Sequence, residues 1–425
     1  MRTLNIKAEI NAKLIPVGTI IGNGPDDARF QYISDYLNKS YAQALSISLP
    51  IQEEPFSPTV TACFFEGLLP EGFTRRSVAQ WLKVDEGDYL SILHGLGREC
   101  LGAICVQEDN EDLTASYERI STEHMQALAE EGATKSAELV TQTHLSLTGA
   151  SGKVGLYYEP KQNVWYLPRG MAPSTHIVKQ SHVRLNNIVT NEQLALQTAS
   201  RCGIPTVQSF IVRAGDADQS LLFATQRYDR IVHEAADKIS GLARPLRLHQ
   251  EDFAQAMGIP ASQKYERDPG KYMRGMFDII RRYSANPIVD QINLWEMIVF
   301  NVLIGNTDAH VKNFSLLYSA DWRGIRLAPA YDIISTTVYD QSTRNLAFSL
   351  GGVYSLDDIN RNVLKRAAAE AGLSKSFAMS HFDRICNQFE ACLSESAREL
   401  SAMGFSEAEK IRDRVLTTGG AGKLL

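Results

Sequence analysis

The stretch between Ile304 and Ser335 constrains this chain more than any other. It runs Ile304-Gly305-Asn306-Thr307-Asp308-Ala309-His310-Val311-Lys312-Asn313-Phe314, then a polar hairpin-like segment, then Ala330-Tyr331-Asp332-Ile333-Ile334-Ser335. Asp308 and Asn313 are five positions apart, and Asp332 follows Asn313 by nineteen. A carboxylate, an amide and a second carboxylate in this order match what phosphoryl transfer needs, one group to face an acceptor hydroxyl and two oxygen donors for a metal. Turn chemistry is the plain alternative, since Asn, Asp and Gly recur in loops for local reasons.

Protein kinases carry the same Asp-to-Asn interval in their catalytic loop and place their second metal-binding carboxylate further along the chain. An oxygen-only donor set suits magnesium, which takes one or two carboxylates and completes its shell with phosphate and water. Upstream segments supply related groups. Residues 145–156 (LSLTGASGKVGL) form a small-residue loop leading into a strand from Tyr157 onward. Small residues let backbone N–H groups approach a phosphate, and Lys153 adds a charge there. The spacing is not that of a Walker A loop, because Val154 stands where a magnesium-binding hydroxyl belongs, and glycine turns between strands are common. Thr175-His176-Ile177-Val178-Lys179 is an apolar strand ending in lysine, the arrangement that aims an ammonium at α- and β-phosphates. A lysine ending a strand is otherwise simply solvated. Gln226, Arg227 and Tyr228 close the next strand pair, where a kinase has the hinge that reads adenine through its backbone.

Periodicity divides the chain into four consecutive segments. Residues 1–107 are expected to form an α+β domain, with a hairpin over 4–10 and 14–21 turning at Asn11-Ala12. Short strands are expected at 30–33 and 44–49, helices at 64–82 and 88–94, and a strand at 102–106. Residues 108–140 open on an acidic run and continue as a surface helix at 122–131, the pattern of a connector. Residues 141–230 hold the nucleotide-side strands and a helix from Glu192 to Cys202. Residues 231–425 are mostly helical, with helices expected at 250–257, 272–283, 289–303 and several beyond Leu356.

Charge and composition exclude some functions. A net charge of −6 does not fit a free-standing nucleic-acid binder. No run of about 18 uncharged apolar residues exists, and Met1 to Lys7 alternates as a strand does, so a cytoplasmic protein is expected. No basic amphipathic helix points to a membrane surface. The six cysteines show no Cys-x-x-Cys, which argues for buried small hydrophobes over a zinc site or disulfides.

Together these segments resemble the HipA family of bacterial serine/threonine kinase toxins, along nearly the whole chain. The resemblance is carried by residues 64–72 (FFEGLLPEG), 97–103 (GRECLGA), 146–153 (SLTGASGK), 176–179 (HIVK), Asn191-Glu192, 226–230 (QRYDR), 250–252 (QED), 264–266 (KYE), 305–314 (GNTDAHVKNF) and 331–335 (YDIIS). It implies a two-lobed, protein-kinase-like α+β fold with an N-terminal α+β subdomain and a mostly helical C-terminal lobe. It implies Asp308 as the base that accepts or orients the substrate hydroxyl, and Asn313 and Asp332 as magnesium ligands. Thr148, Gly149, Ala150, Ser151, Gly152 and Lys153 become the phosphate-covering loop, Lys179 the ammonium on the phosphates, and Gln226, Arg227 and Tyr228 the hinge. His310, Val311, Lys312 and Tyr331 join Asn313 and Asp332 around ATP, and Ser146 falls on the serine that the family autophosphorylates. The family loop commonly runs Gly-Ala-Gln-(Glu or Pro)-Lys, whereas Ser151 and Gly152 precede Lys153 here.

The implied function is an ATP- and magnesium-dependent toxin kinase that phosphorylates an aminoacyl-tRNA synthetase. A small helix-turn-helix antitoxin would neutralise it, and the acidic chain would reach operator DNA only through that partner. Two alternatives stand beside it. One is a kinase-like pseudoenzyme serving as antitoxin or co-repressor, against which Lys179, Asp308, Asn313 and Asp332 are all present. The other is kinase chemistry on a lipid or small molecule.

Overall fold

The computed structural model describes residues 1–425 apart from 109–113, 132, 144–151, 181–184, 216–219 and 234–235. The chain folds into two compact units that interleave along the sequence: unit 1 is Met1–Ser181, Val212–Ala261 and Leu317–Gly324, and unit 2 is His182–Ile211, Ser262–Leu316 and Ile325–Leu425. The four consecutive segments expected above follow the chain, whereas these units follow compactness in space.

Unit 1 begins with strands β1 (Arg2–Ile10), β2 (Lys13–Gly22) and β3 (Arg29–Tyr32), joined later by β4 (Ile104–Gln107) in an antiparallel sheet of order β3-β2-β1-β4. Asn11 and Ala12 make the expected two-residue turn, both with positive φ, which suits the right-handed twist of the flanking strands. Phe30, Tyr32, Phe64 and Phe65 are buried and pack edge to face or tilted. Phe64 and Phe65 end helix α1 (Pro58–Phe65), which is followed by α2 (Gly72–Leu82) and α3 (Tyr89–Leu96).

The strand expected at 44–49 does not form; only Ser46 and Leu49 bridge. The hydroxyl of buried Tyr32 accepts from Leu45 N at 2.7 Å and donates to Leu49 O at 2.5 Å. Side chains thus satisfy backbone groups that a ladder would otherwise pair.

A second antiparallel sheet contains β5 (Ala115–Arg119), β6 (Lys153–Glu159), β7 (Val164–Gly170), β8 (His176–Gln180) and β9 (Leu221–Gln226), in the order β5-β7-β6-β8-β9. Two details differ from the sequence expectations. Strand β6 starts at Lys153, four residues earlier than expected, and the stretch read as a connector contributes β5 as well as helix α4 (Thr122–Glu130) and helix α5 (Ala133–Thr143). The helix expected at 250–257 opens instead as a strand, Gln250–Asp252. Asp252 then caps the short helix α6 (Phe253–Ala256) in a capping box with Gln255.

Unit 2 is built on helices α7 (Ile188–Arg201), α8 (Lys271–Tyr283), α9 (Pro287–Ile304), α10 (Arg361–Glu370), α11 (Lys375–Ala402) and α12 (Glu407–Thr418). Helix α7 starts four residues before its expected first residue, after Asn187 in the left-handed region. It packs on α11, where Gln197 donates to Glu399 at 2.6 Å and Gln388 donates to the Cys202 carbonyl at 2.9 Å. Helix α9 is the core of the unit, with every residue from Leu294 to Ile304 buried. It is long and apolar enough to cross a bilayer, but two-thirds of it is buried within the protein, the pattern of a core helix.

Candidate active site

The end of α9 sets the first half of the site. Gly305 caps the helix in the left-handed region, with φ +76°, and an added Cβ would lie 2.1 Å from Thr337 Oγ1, so only glycine fits without rearrangement. The chain then turns into the loop carrying Asp308. Asn306 is buried, donates to Asn301 Oδ1 at 2.7 Å and accepts from Asp308 N at 3.2 Å. The Asp308 carbonyl accepts from His310 N at 2.7 Å and from Asn313 Nδ2 at 3.1 Å. The Asp308 side chain accepts the Tyr265 hydroxyl at 2.5 Å on Oδ1. From Asn301 to Lys312 every residue is buried except Asp308, which is exposed. Packing therefore presents one carboxylate to solvent from a loop whose backbone is bonded on both sides.

Asn313 is oriented by the same bonds. Its Nδ2 faces the Asp308 carbonyl, which turns its Oδ1, the atom able to ligate a cation, the other way. The remaining loop residues act as supports. Val311 and Lys312 are buried in a 3₁₀ turn, Val311–Asn313, and the Tyr331 hydroxyl donates to the Lys312 carbonyl at 2.8 Å and contacts Ser315 Oγ at 2.6 Å. The buried His310 ring meets Tyr265 edge to face at 5.5 Å.

Asp332 has φ +56°, the left-handed region, in which a non-glycine residue is uncommon. Anchors on both sides hold it there. Ala330 N donates to Pro205 O at 2.8 Å and Ala330 O accepts from Val207 N at 3.0 Å. Three residues after Asp332, buried Asn191 of α7 grips Ser335, donating to its carbonyl at 2.9 Å and accepting from its N–H at 2.9 Å. Thr336 completes the tie, its hydroxyl donating to Gly305 O at 2.9 Å and accepting from Thr307 N at 2.8 Å.

The donor chemistry fits a magnesium ion. Among the described residues no group of three or more His, Cys, Asp and Glu side chains is placed to hold a metal. A cation at Asn313 and Asp332 would draw its other ligands from phosphate and water, which is how magnesium is usually bound.

Unit 1 carries the remaining candidates. Lys153 and Lys179 are direct partners across β6 and β8, and Lys179 is also the direct partner of Phe223 on β9. The Lys179 ammonium lies 5.7 Å from the Phe223 ring centroid, a cation–π distance. Two lysines thus leave one face of the sheet from adjacent strands. Gly152 is buried just before β6, whereas Ser146, Thr148, Gly149, Ala150 and Ser151 lie outside the described residues.

At the end of β9, Gln226 is exposed and Tyr228 half-buried, its hydroxyl bonded to Gln250. Arg227 is wholly buried. Its guanidinium binds Asp229 at 2.9 and 2.7 Å, Glu99 at 3.2 Å and Ser174 at 2.9 Å, and its N–H donates to Thr175 O. Its side chain is therefore part of a buried ion network that continues through Arg230 and Arg247 to Glu99 and Glu9. Burial alone would raise the Glu99 pKa, but the guanidiniums of Arg230, Arg247 and Arg227 hold it down at about 2.

Two family descriptions match this chain: HipA N-terminal domain over residues 8–107 and HipA-like C-terminal domain over residues 145–393. The chain belongs to the HipA family of serine/threonine-protein kinase toxins. It is 30% identical over 421 residues to Y4mE of Sinorhizobium fredii, a protein named as a candidate kinase, with 96% of each chain covered. It is 26% identical over 404 residues to the serine/threonine-protein kinase toxin HipA of Shewanella oneidensis, covering 92% of this chain and 90% of that one. Its fold matches the solved HipA in the Shewanella oneidensis HipA, HipB and operator DNA complex, with a TM-score of 0.80 at 22% identity over 98% of this chain and 96% of that one. The α+β, HipA-like fold expected from the sequence is the fold found.

The sequence alone assigned no task to four side chains that hold this candidate site together: Tyr265, Asn306, Asn191 and Thr336. The first three lie in segments that carry the family resemblance, so their presence was visible. Their tasks were not, because each acts on a partner set by tertiary packing: Tyr265 on Asp308, and Asn191 on Ser335.

Proposed function

We propose that this chain is an ATP- and magnesium-dependent serine/threonine protein kinase that acts in the cytoplasm as the toxin of a type II toxin–antitoxin system. The observation that carries the proposal is Asp308, the one exposed side chain between residues 301 and 312, on a loop whose backbone Asn306, His310 and Asn313 hold.

In the proposed reaction the acceptor hydroxyl oxygen attacks the γ-phosphorus while the bond from that phosphorus to the β,γ-bridging oxygen breaks. ADP leaves with the electron pair, and the acceptor proton passes to Asp308. Bound magnesium would neutralise charge on the β- and γ-phosphate oxygens, held by Asn313 and Asp332. Lys153 and Lys179 place two positive charges on one sheet face for the phosphates, while the adenine meets the hinge of Gln226, Arg227 and Tyr228 through the backbone at Gln226 and Tyr228, the Arg227 N–H being bonded to Thr175 O. His310, Val311, Lys312 and Tyr331 shape the loop beside them. Residues Thr148 to Gly152 cover the phosphates, and phosphate on Ser146 would add about −1.5 to −2 charges close to them, so that repulsion switches the kinase off.

The substrate is proposed to be a translation component such as an aminoacyl-tRNA synthetase, along with the chain itself. The neutralising partner is proposed to be a HipB-like helix-turn-helix antitoxin, through which the chain reaches operator DNA. A net charge of −6 supports that indirect route.

Purified protein with magnesium and radiolabelled ATP is expected to label itself, and Asp308→Ala to lower the labelling rate by about 10²–10⁴-fold. Unchanged labelling in that variant overturns the assignment. Phosphosite mass spectrometry on the chain and on a treated lysate then identifies the acceptors, with Ser146 and a synthetase expected among them.

A further inference from the structure

Tyr265 lies in the Lys264-Tyr265-Glu266 segment, to which the proposed chemistry assigns no task. Its hydroxyl reaches Asp308 Oδ1 at 2.5 Å across 43 positions of sequence. A phenol has one proton to donate and an ionised carboxylate has none, so the direction of this bond is fixed when Asp308 is charged. The ring is held as well, edge to face with His310 at 5.5 Å and with the Lys264 ammonium 5.5 Å from its centroid.

The neighbouring residue anchors the backbone at this point. Glu266 is buried, and its carboxylate accepts from Tyr272 N at 2.7 Å and from Ser349 N at 2.7 Å. Its own N–H donates to Ala347 O at 2.8 Å. Three bonds, one to the helix Lys271–Tyr283 and two to the strand Asn345–Leu350, thus anchor the residue next to Tyr265. The backbone from which the Tyr265 side chain reaches Asp308 is thus held in place.

We infer that Tyr265 is a positioning residue for phosphoryl transfer: its hydroxyl, bonded to one carboxylate oxygen of Asp308, turns the other oxygen toward the acceptor hydroxyl. The inference rests on Asp308 being the base. The bonds from Asp308 N to Asn306 and from His310 N and Asn313 Nδ2 to the Asp308 carbonyl reach its backbone, whereas Tyr265 bonds the carboxylate itself. A carboxylate held in its reactive orientation before the acceptor arrives spares the reorganisation that would otherwise slow the step. Tyr265 neither gains nor loses a proton in the reaction, and the acceptor proton still passes to Asp308.

The test uses the full chain and its self-labelling rate as a function of Mg-ATP concentration. Tyr265→Phe keeps the ring against His310 and removes only the donor. The expected result is a fall of about 10- to 100-fold in the saturating rate, with the half-saturating ATP concentration and the thermal midpoint unchanged. An unchanged rate overturns the inference. A faster rate does so too, by making the contact a gate, and so does a loss accompanied by a lower thermal midpoint or weaker ATP saturation, by making the role structural. Asp308→Asn, measured alongside, separates the two proposals. Retained labelling in that variant removes the base on which the inference stands, whereas lost labelling there with normal labelling in Tyr265→Phe removes the inference alone.

Discussion

Lys153 and Lys179 stand directly opposite one another on neighbouring antiparallel strands. Side chains in such a pair share a face of the sheet with Cβ atoms about 4.5–5.5 Å apart, and like charges there are destabilising. A polyanion on this face would offset that repulsion. The same two residues read separately, one ending a glycine loop and one ending a strand, show nothing of this.

Lys179→Gln should weaken nucleotide binding. The nucleotide-free protein is expected to stay folded, while losing most of the stabilisation that Mg-ATP confers. Thermal unfolding with and without Mg-ATP measures this. Full nucleotide-induced stabilisation in the variant would contradict the role given to this pair.

Glu99 should be among the most costly residues to change. It is 1% exposed and bonded to Arg227, Arg230 and Arg247. Removing one member of a buried ion set leaves the others uncompensated, which typically costs about 3–5 kcal/mol. Its depressed pKa also sets a pH window. The contribution is present above the ordinary carboxylate value of 4.5 and is lost as pH falls toward about 2. Urea unfolding of Glu99→Gln at neutral pH is expected to show the loss, and a midpoint equal to wild type would refute the account.

Glu251 has the opposite sign. Burial pushes its carboxyl up to about 7, although Ser46, Tyr318 and Ile47 N all donate to it. The unfolded chain loses this proton near 4.5 while the folded chain retains it, so stability is full below that value and declines as pH rises to about 7. Glu251→Gln removes the titration. Its stability relative to wild type is expected to rise between pH 5 and pH 7, and a difference independent of pH would show that Glu251 does not titrate in this range.

Asn191 links α7 to the segment after Asp332. Asn191→Ala orphans the buried N–H and carbonyl of Ser335, at about 1–3 kcal/mol for each unsatisfied group. The variant is expected to unfold at lower urea and to label itself more slowly even when folded, because one anchor of the left-handed Asp332 is gone. Wild-type labelling in folded Asn191→Ala would show that Asp332 keeps its conformation without the clamp.

Much of the architecture was legible in local pattern. The hairpin about Asn11 and Ala12, the helices near 272–283 and 289–303, and the strand ending in Lys179 appeared where alternation, helical periodicity and turn residues place them. The failures have one cause. Residues 44–49 alternate like a strand, but Tyr32 and Glu251 satisfy their polar groups instead. Glu9 sits on a strand whose pattern gives no sign that its carboxylate is buried, because its partners Arg244 and Arg247 lie more than 230 positions away.

By itself, the sequence determined the family, most of the order of strands and helices, and the candidate Asp308, Asn313 and Asp332 set, because these depend on residue identity and on intervals of a few to about twenty positions. Tertiary structure alone decided that Lys153 faces Lys179, that Tyr265 holds Asp308, and that α7 packs with α11. Strand register and helix packing bring together residues that no local period relates, and a hydrogen bond depends on where two atoms finally lie, however far apart they are in the chain.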